Sequence, residues 1–512
     1  MSSKMAKSGV IEAMMRTASV MNSHQTLVLK SAIISRLIVL ALIVLWRSLF
    51  SPYDTSATLN PSCLIDSPSE PQRLPLLPGL ASAVESCIVW DSVYFVRIAQ
   101  CGYEYEQSYA FLPLLPLCIS LLSRTVFAWL VPLIGFRAVL GFSGYVVSNV
   151  AFVLAAVYFY RLSVVILKDS EAAFRSSILF CFNPASIFYS SIYSESLYAL
   201  FSVGGVYHLV SGANSIAVFW FALSGCARSN GVLNAGYFCF QTLHQAYDAV
   251  FQKKNACSAM QVLVTGALRC ICIFIPFISF QAYGYFNICR GRSLDEMRPW
   301  CKASVPLLYS YIQSHYWGVG FLKYFQLKQL PNFLLASPIL TLALCSIVSY
   351  VKLRPKIVFS LGFRASDEEK ESMALFYSSN SMQSSQVASL SSNSPSKKRE
   401  YHNLRQRKQV IEETDPVTRS VEQRALGKPS FLSVSILPFI LHLAFMAATA
   451  FFMMHVQVAT RFLSASPPLY WFASYITKIA GSGKRWGYVI SVYCTAYILL
   501  GSLLFSNFYP FT

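Results

Sequence analysis

The sequence predicts an all-α polytopic membrane protein, and three observations carry that prediction. Of its 512 residues, 55% are hydrophobic and only 12% are charged, about half the charge of a soluble domain. Apolar runs recur from residue 28 to 508, and several are long enough for a helix to cross a bilayer. The short alternating segments of a transmembrane barrel are not what these runs show. The net charge of +18 does not point to nucleic acid. The basic residues sit in the tail and in loops between apolar runs, where topology signals lie. The 14 cysteines are scattered, with no CxxC pair and no zinc spacing. Cys289 and Cys301 flank one polar loop, and a bridge between them is left open.

Residues 1–27 form a polar N-terminal tail. No short apolar segment with a small-residue cleavage site precedes the first run, so 27–50 reads as an uncleaved anchor. Lys4, Lys7, Arg16 and Lys30 place the N-terminus in the cytosol. The Pro- and Ser-rich stretch 51–79 is an irregular loop on the far side. Read as a helix, the next segment puts Val84, Ile88, Phe95 and Ile98 on one face, with Asp91 among them. A carboxylate there must be paired, solvated by a cleft or chemically employed, because burial disfavours its charged form. A cap or a salt bridge to the nearby Arg97 is the plain alternative.

Segment 111–122 is short for a span and lies along the interface or dips into the membrane. Segment 137–167 crosses. Segment 173–190 returns with a kink at Asn183-Pro184, and 192–210 crosses back. Two apolar halves within 214–243 are broken by 224–231, as a broken helix or a re-entrant hairpin. Segment 262–286 crosses, 287–330 is an aromatic far-side loop, and 331–350 crosses again. Residues 352–430 form a polar, basic insert expected to be disordered cytosolic linker. Segment 431–454 crosses out, 455–484 lies at or dips into the far face, and 486–508 closes a count of about 8–10 membrane segments. The organisation is therefore a tail (1–27), a membrane and far-side catalytic region (28–351), the insert (352–430) and a C-terminal membrane part (431–512).

On this topology the unusual polar residues gather on one face, where ionisable groups at membrane depth are functional candidates. Asp91 is the candidate base. Arg228 and Asn230 interrupt an apolar segment. Loop 287–330 adds Asp295, Glu296, Arg298, Gln313, His315 and Trp317. His455, Gln457 and Arg461 open the last far-side segment. Glu195 reads equally as a helix cap. There is no GxxxxGK[ST] loop, no D-x-D pair and no H-E-x-x-H. A carboxylate, cations and aromatic platforms suit metal-free group transfer from a lipid phosphate.

Five stretches then become informative together: WDSVYFVRIAQCGYEYEQSYAFLPLLPL (90–117), NPASIFYSSIYSESLYALFS (183–202), CARSNGVLNAG (226–236), PLLYSYIQSHYWGVGFLKYFQLKQLPNFLLASP (306–338) and HVQVATRFLSASPPLYWF (455–472). They closely resemble the GPI mannosyltransferase II family, the α-1,6-mannosyltransferases of glycosylphosphatidylinositol anchor assembly. The resemblance runs from about residue 82 to 508 and leaves out the insert. It implies a GT-C-type glycosyltransferase of the endoplasmic reticulum membrane with luminal catalytic loops. The implied donor is dolichyl-phosphate-mannose, and the implied acceptor is the mannosyl-glucosaminyl-(acyl)phosphatidylinositol precursor. The second mannose would be added in α-1,6 linkage with inversion, using no cofactor and no metal. A small membrane subunit is an optional partner.

Under the resemblance Asp91 takes the acceptor's proton, and Trp90 packs the sugar or fixes the loop. Arg228 and Arg461, with His315 as an outside choice, meet phosphate. Asn230, Gln313, His315, Trp317, His455 and Gln457 complete the substrate site. The competing readings are a lipid-linked sugar transporter, a non-catalytic scaffold subunit, and a mannosyltransferase acting on another lipid-linked acceptor.

Overall fold

The computed structural model describes residues 2–53, 63–64, 74–291, 297–366, 369, 430–479, 483–509 and 511, with side chains from residue 20 onward. Among these every regular element is helical. Six helices are long and apolar enough to cross a membrane: Val20–Leu49, Phe136–Leu167, Ala256–Cys289, Leu327–Leu353, Val434–Phe452 and Gly483–Ser506. A bent pair, Leu114–Arg124 with Ala128–Ile134, adds a seventh if counted as one span. The other expected segments are built from shorter helices. Segment 173–190 divides into Ser170–Cys181 and Ser186–Ser190 at Asn183-Pro184, and 192–210 becomes Glu195–Val210.

We label the helices α1 (Ser2–Leu49), α2 (Pro78–Ser86), α3 (Asp91–Cys101), α4 (Leu114–Arg124), α5 (Val131–Ile134) and α6 (Phe136–Leu167). Then follow α7 (Ser170–Cys181), α8 (Ser186–Ser190), α9 (Glu195–Val210), α10 (Asn214–Ala227), α11 (Ala235–Tyr247) and α12 (Ala256–Cys289). The C-terminal half holds α13 (Leu308–His315), α14 (Leu330–Leu353), α15 (Pro355–Phe359), α16 (Leu437–Phe452), α17 (Ala459–Leu463), α18 (Pro467–Ile476) and α19 (Gly483–Ser506).

Lipid tails are as apolar as leucine, so helices in a bilayer associate through close packing and internal hydrogen bonds. The centre of this bundle follows that rule. α6 buries Gly141, Gly144, Ser148, Ala151 and Ala155 at three- and four-residue spacing. A Cβ at Gly204 of α9 would lie 2.2 Å from the Trp220 ring of α10. Phe180 is fully buried and stacks on Phe152 and Phe159, with centroids 5.3 and 4.7 Å away. Arg36 of α1 is 3% exposed. Its guanidinium donates to the Ser186 and Cys181 carbonyls at 2.9 and 3.3 Å and to the Ser190 and Ser186 hydroxyls, and lies 3.8 Å over Phe152. It thereby satisfies carbonyls freed by the break between α7 and α8.

The segment 214–243 is a re-entrant hairpin, which decides between the two readings of its broken pattern. α10 ends at Ala227, Arg228 is extended, and a 3-10 turn (Ser229–Asn234) leads into α11. α11 turns back toward the start of α10: Asn234 donates to Ser224 at 3.0 Å, and Gln241 at the middle of α11 donates to Asn214, the first residue of α10, at 3.5 Å. The turn is sharp because Gly231 sits on the backbone of Ser224, where a Cβ would lie 2.2 Å from the carbonyl carbon.

The helix ends fall into two groups. One end of the bundle holds Leu49, the α2–α3 region, Glu195, the hairpin tip, Cys289 and the end of α19. Trp46 and Arg47 of α1 there bond Ser502 and the Ser506 carbonyl at 3.0 and 3.2 Å. The opposite end joins Met21 to Tyr160, Gln25 to Arg161 and Asp169 to Lys478. Ordered packing there runs past the boundary drawn at 352. Phe363 stacks on His244 at 4.2 Å, His244 meets the Leu361 carbonyl at 2.9 Å, and Ile357 is buried. Apart from Glu369, the remainder of the insert up to residue 429 lies outside the described residues.

Gly231→Ala pushes a methyl into backbone that cannot yield, and overpacking of this kind costs about 1–3 kcal/mol. The variant is expected to unfold at lower temperature in detergent. Gly236→Ala, which meets nothing within 4 Å, is expected to match wild type.

Candidate active site

The candidate base stands at a helix start rather than on a long helical stripe. α2 and α3 are separate helices, so Val84 and Ile88 do not share a helical face with Phe95 and Ile98. Trp90 breaks them with φ +53° and ψ −133°, a backbone region that a bulky residue occupies only when its surroundings enforce it. The enforcement is visible. Trp90 Nε1 donates to the Phe505 carbonyl at 3.0 Å, and its ring lies 5.7 Å from Phe508. The Asp91 N–H donates to the Tyr193 hydroxyl at 3.1 Å. Burial, then the nearby Asp91 carboxylate, hold that phenol well above its ordinary value, so it stays neutral and accepts.

Asp91 faces a cavity of about 630 Å³ with its side chain 36% exposed. Arg97 does not pair with it. Arg97 donates to Glu104 at 2.8 and 2.6 Å, and Asp91 instead accepts from Arg461 Nη1 at 3.1 Å. Arg461 lies on α17, 370 residues away in sequence, held over the Phe188 and Tyr193 rings at 5.3 and 5.5 Å. The same Nη1 lies 3.9 Å from Glu195, which also ion-pairs with Arg228 of the hairpin tip. Burial pulls the Arg461 guanidinium down, but Asp91 and Glu195 outweigh it and leave it above its ordinary value.

Aromatic and polar side chains from several elements line the cavity around this charged floor in three groups. Trp90, Phe188, Phe505 and Phe511 form one, and Phe111, Tyr309, Gln313 and Trp317 a second. Asn332, His455 and Gln457 form the third. The long loop is latched by His455 and Gln457. His455 Nε2 meets the Trp317 carbonyl at 2.6 Å and its ring stacks on Tyr324, whose hydroxyl donates to Gln457 at 2.6 Å. Glu106 ties the other flank, accepting from Trp300 and Tyr316 at 2.6 and 2.8 Å with Arg298 at 3.5 Å.

Asp91, Trp90, Arg228, Gln313, Trp317, His455, Gln457 and Arg461 thus meet around one space. Asn230 is buried behind it, and accepts from Arg228 Nε at 3.4 Å. His315 is also outside the cavity lining. It ends α13 and stacks on Tyr311 at 4.8 Å, because four residues after Tyr311 a helix brings the two rings together. Asp295 and Glu296 lie outside the described residues. Glu195 read equally as a far-side candidate and as a cap. Its first position on an otherwise apolar helix was the available signal, and its partners arrive from residues 228 and 461.

Two disulfides brace this end. Cys289–Cys301 closes the loop left open above, with Cα atoms 5.8 Å apart. Cys63–Cys101, with Cα atoms 5.5 Å apart, ties the end of α3 to the preceding loop. A separation of 38 residues, with α2 and α3 between the two cysteines, gave no sequence signal for it.

Comparison with known proteins agrees with this architecture. Residues 24–512 match the mannosyltransferase (PIG-V) family model. The chain is 28% identical over 481 residues to the rat GPI alpha-1,6-mannosyltransferase 2, covering 90% of this chain and 85% of that protein. It is also 28% identical over 476 residues to the human GPI alpha-1,6-mannosyltransferase 2, covering 88% and 84%. For the Drosophila melanogaster GPI mannosyltransferase 2 the identity is 28% over 456 residues, covering 83% and 86%. No solved structure matches. With nearly the whole chain inside one family model, this polytopic membrane protein belongs to the mannosyltransferase (PIG-V) family.

Proposed function

We propose that the protein transfers the second mannose of the GPI precursor in the endoplasmic reticulum membrane. The donor is dolichyl-phosphate-mannose, and the acceptor is the mannosyl-glucosaminyl-(acyl)phosphatidylinositol intermediate. The observation that carries the reading is the Asp91 carboxylate, open to the cavity and paired with the Arg461 guanidinium at 3.1 Å. In an inverting displacement Asp91 takes the proton of the acceptor 6-hydroxyl. The freed oxygen pair bonds the anomeric carbon, and the bond to phosphate breaks with its electrons leaving on phosphate. No covalent sugar–enzyme step is involved. Arg461 and Arg228 stabilise the charge that develops on the departing phosphate. The aromatic walls suit the apolar faces of sugars.

The site is assigned to the lumen. Both disulfides lie at the site end, and disulfides persist in oxidising compartments. Connections at the opposite end carry Lys168, Lys253, Lys254, Lys352, Arg354 and Lys356, as expected of cytosolic loops. The alternative of another lipid-linked acceptor leaves the same chemistry and changes only the cavity's occupant. A transporter reading has less support, since the ionic groups that line the cavity lie at one end of the bundle.

Microsomal transfer from dolichyl-phosphate-mannose to the one-mannose intermediate is the direct assay. Asp91→Asn at equal protein level is expected to lose on the order of 10²-fold or more. Equal transfer by the variant removes Asp91 as base. His315→Ala is expected to stay within about twofold of wild type. A drop of the size seen for Asp91→Asn places His315 at the substrate. In sealed microsomes a membrane-impermeant thiol reagent, added after reduction from the outside alone, is expected to leave both disulfide pairs unlabelled. Labelling before permeabilisation puts the site in the cytosol.

A further inference from the structure

The transfer reading leaves one buried charge without a task. Glu195 is 1% exposed and is buried within the charged floor of the cavity. It ion-pairs with Arg228, and it lies 3.9 Å from the Arg461 nitrogen that Asp91 holds at 3.1 Å. One guanidinium nitrogen is therefore shared between a carboxylate open to substrate and a carboxylate sealed away from it. Two guanidiniums and two carboxylates balance, so the charged floor is neutral before substrate enters.

We propose that Glu195 is a positioning residue that keeps Arg461 at the floor of the cavity when Asp91 releases it, so that one proton transfer frees the cation needed by the leaving phosphate. The proposal rests on the transfer reading above. Its charges balance. The acceptor proton converts Asp91 from carboxylate to carboxylic acid, while the donor phosphodiester, with one negative charge, leaves as a phosphomonoester with two. The charge that Asp91 loses is the charge that phosphate gains. Arg461 spans the two events because it is bound to Asp91 only while that group is ionised.

Without Glu195, Asp91 would be the only carboxylate beside Arg461. The pair would tighten, Asp91 would become a weaker base, and the cation would stay occupied when phosphate needs it. With Glu195 present, Arg461 has a second anchor that substrate cannot reach. Asn230 does the corresponding work for Arg228 at 3.4 Å. The charged and titratable groups facing Asp91 are Arg461, Glu195, Arg228, Tyr193, Tyr309 and His455, from α17, α9, the hairpin tip, the α8–α9 turn, α13 and the segment before α17.

The test uses the full chain with dolichyl-phosphate-mannose as donor and measures kcat, donor KM and the acid limb of the pH–rate profile. Glu195→Gln removes one negative charge beside an anion site, so donor KM is expected to fall. kcat is expected to drop on the order of 10²-fold through a misplaced cation. The acid limb is expected to move to lower pH, because a more tightly paired Asp91 is harder to protonate. A residue that merely holds the fold would raise KM and leave the limb in place, and either result overturns the proposal. Glu195→Asp keeps the charge one methylene short and carries the test if the Gln variant does not accumulate. It is expected to keep the wild-type limb and donor KM with a lowered kcat. An Asp variant with wild-type kcat, or with KM raised in step, overturns the proposal. Undiminished transfer by Asp91→Asn strikes the underlying reading instead, so the two failures are distinguishable.

Discussion

The four ionic groups at the floor of the cavity are the constraint on which the rest depends. Asp91, Glu195, Arg228 and Arg461 come from four separate stretches of chain. Taking any one of them out of water alone is costly, and attraction offsets that cost only in good geometry. The surrounding fold supplies the geometry. Trp90 is held in a strained backbone region to set Asp91. The hairpin turns sharply at Gly231 to present Arg228. Phe188 and Tyr193 confine Arg461 from the side. Stability alone does not account for the array, since apolar residues of similar volume would often fill such a place as well.

The long loop plays a different part. Apart from the Arg298–Glu106 ion pair, its contacts are neutral or singly charged, and they reach into two flanks of the cavity, through Glu106 on one side and His455 with Gln457 on the other. Gln313 and Trp317 are carried between these fixed points. The loop is thus a wall whose edges are bolted, which is how an irregular segment can hold substrate-facing groups within narrow tolerances.

Much of this was legible in the sequence, for physical reasons that differ by element. The long spans announce themselves because a bilayer demands about 20 apolar residues. The hairpin was visible as an interruption, Ser224 to Gly231, but its direction depended on the close approach at Gly231, which is a tertiary fact. Asp91 stood out because a carboxylate in apolar surroundings is expensive. Its actual partner was hidden, because Arg97 is near in sequence and Arg461 near only in space. Glu195 looked like a cap for the same reason. His315 drew attention as a titratable group, yet its i−4 neighbour Tyr311 claims its ring. The Cys63–Cys101 bridge joins cysteines 38 residues apart, a separation that by itself names no partner.

Arg36 has a consequence for how the protein is made. The first helix enters the bilayer with a guanidinium at its middle, and every hydrogen-bond partner described for that group except Ser35 lies 145 or more residues downstream, at 181–190. Until the ribosome has delivered those carbonyls and hydroxyls, the cation has no dry place to rest. The opening helix must therefore wait at the translocon or the lipid boundary, and its final seating marks the moment when the amino-terminal third of the chain has been synthesised and closed around it.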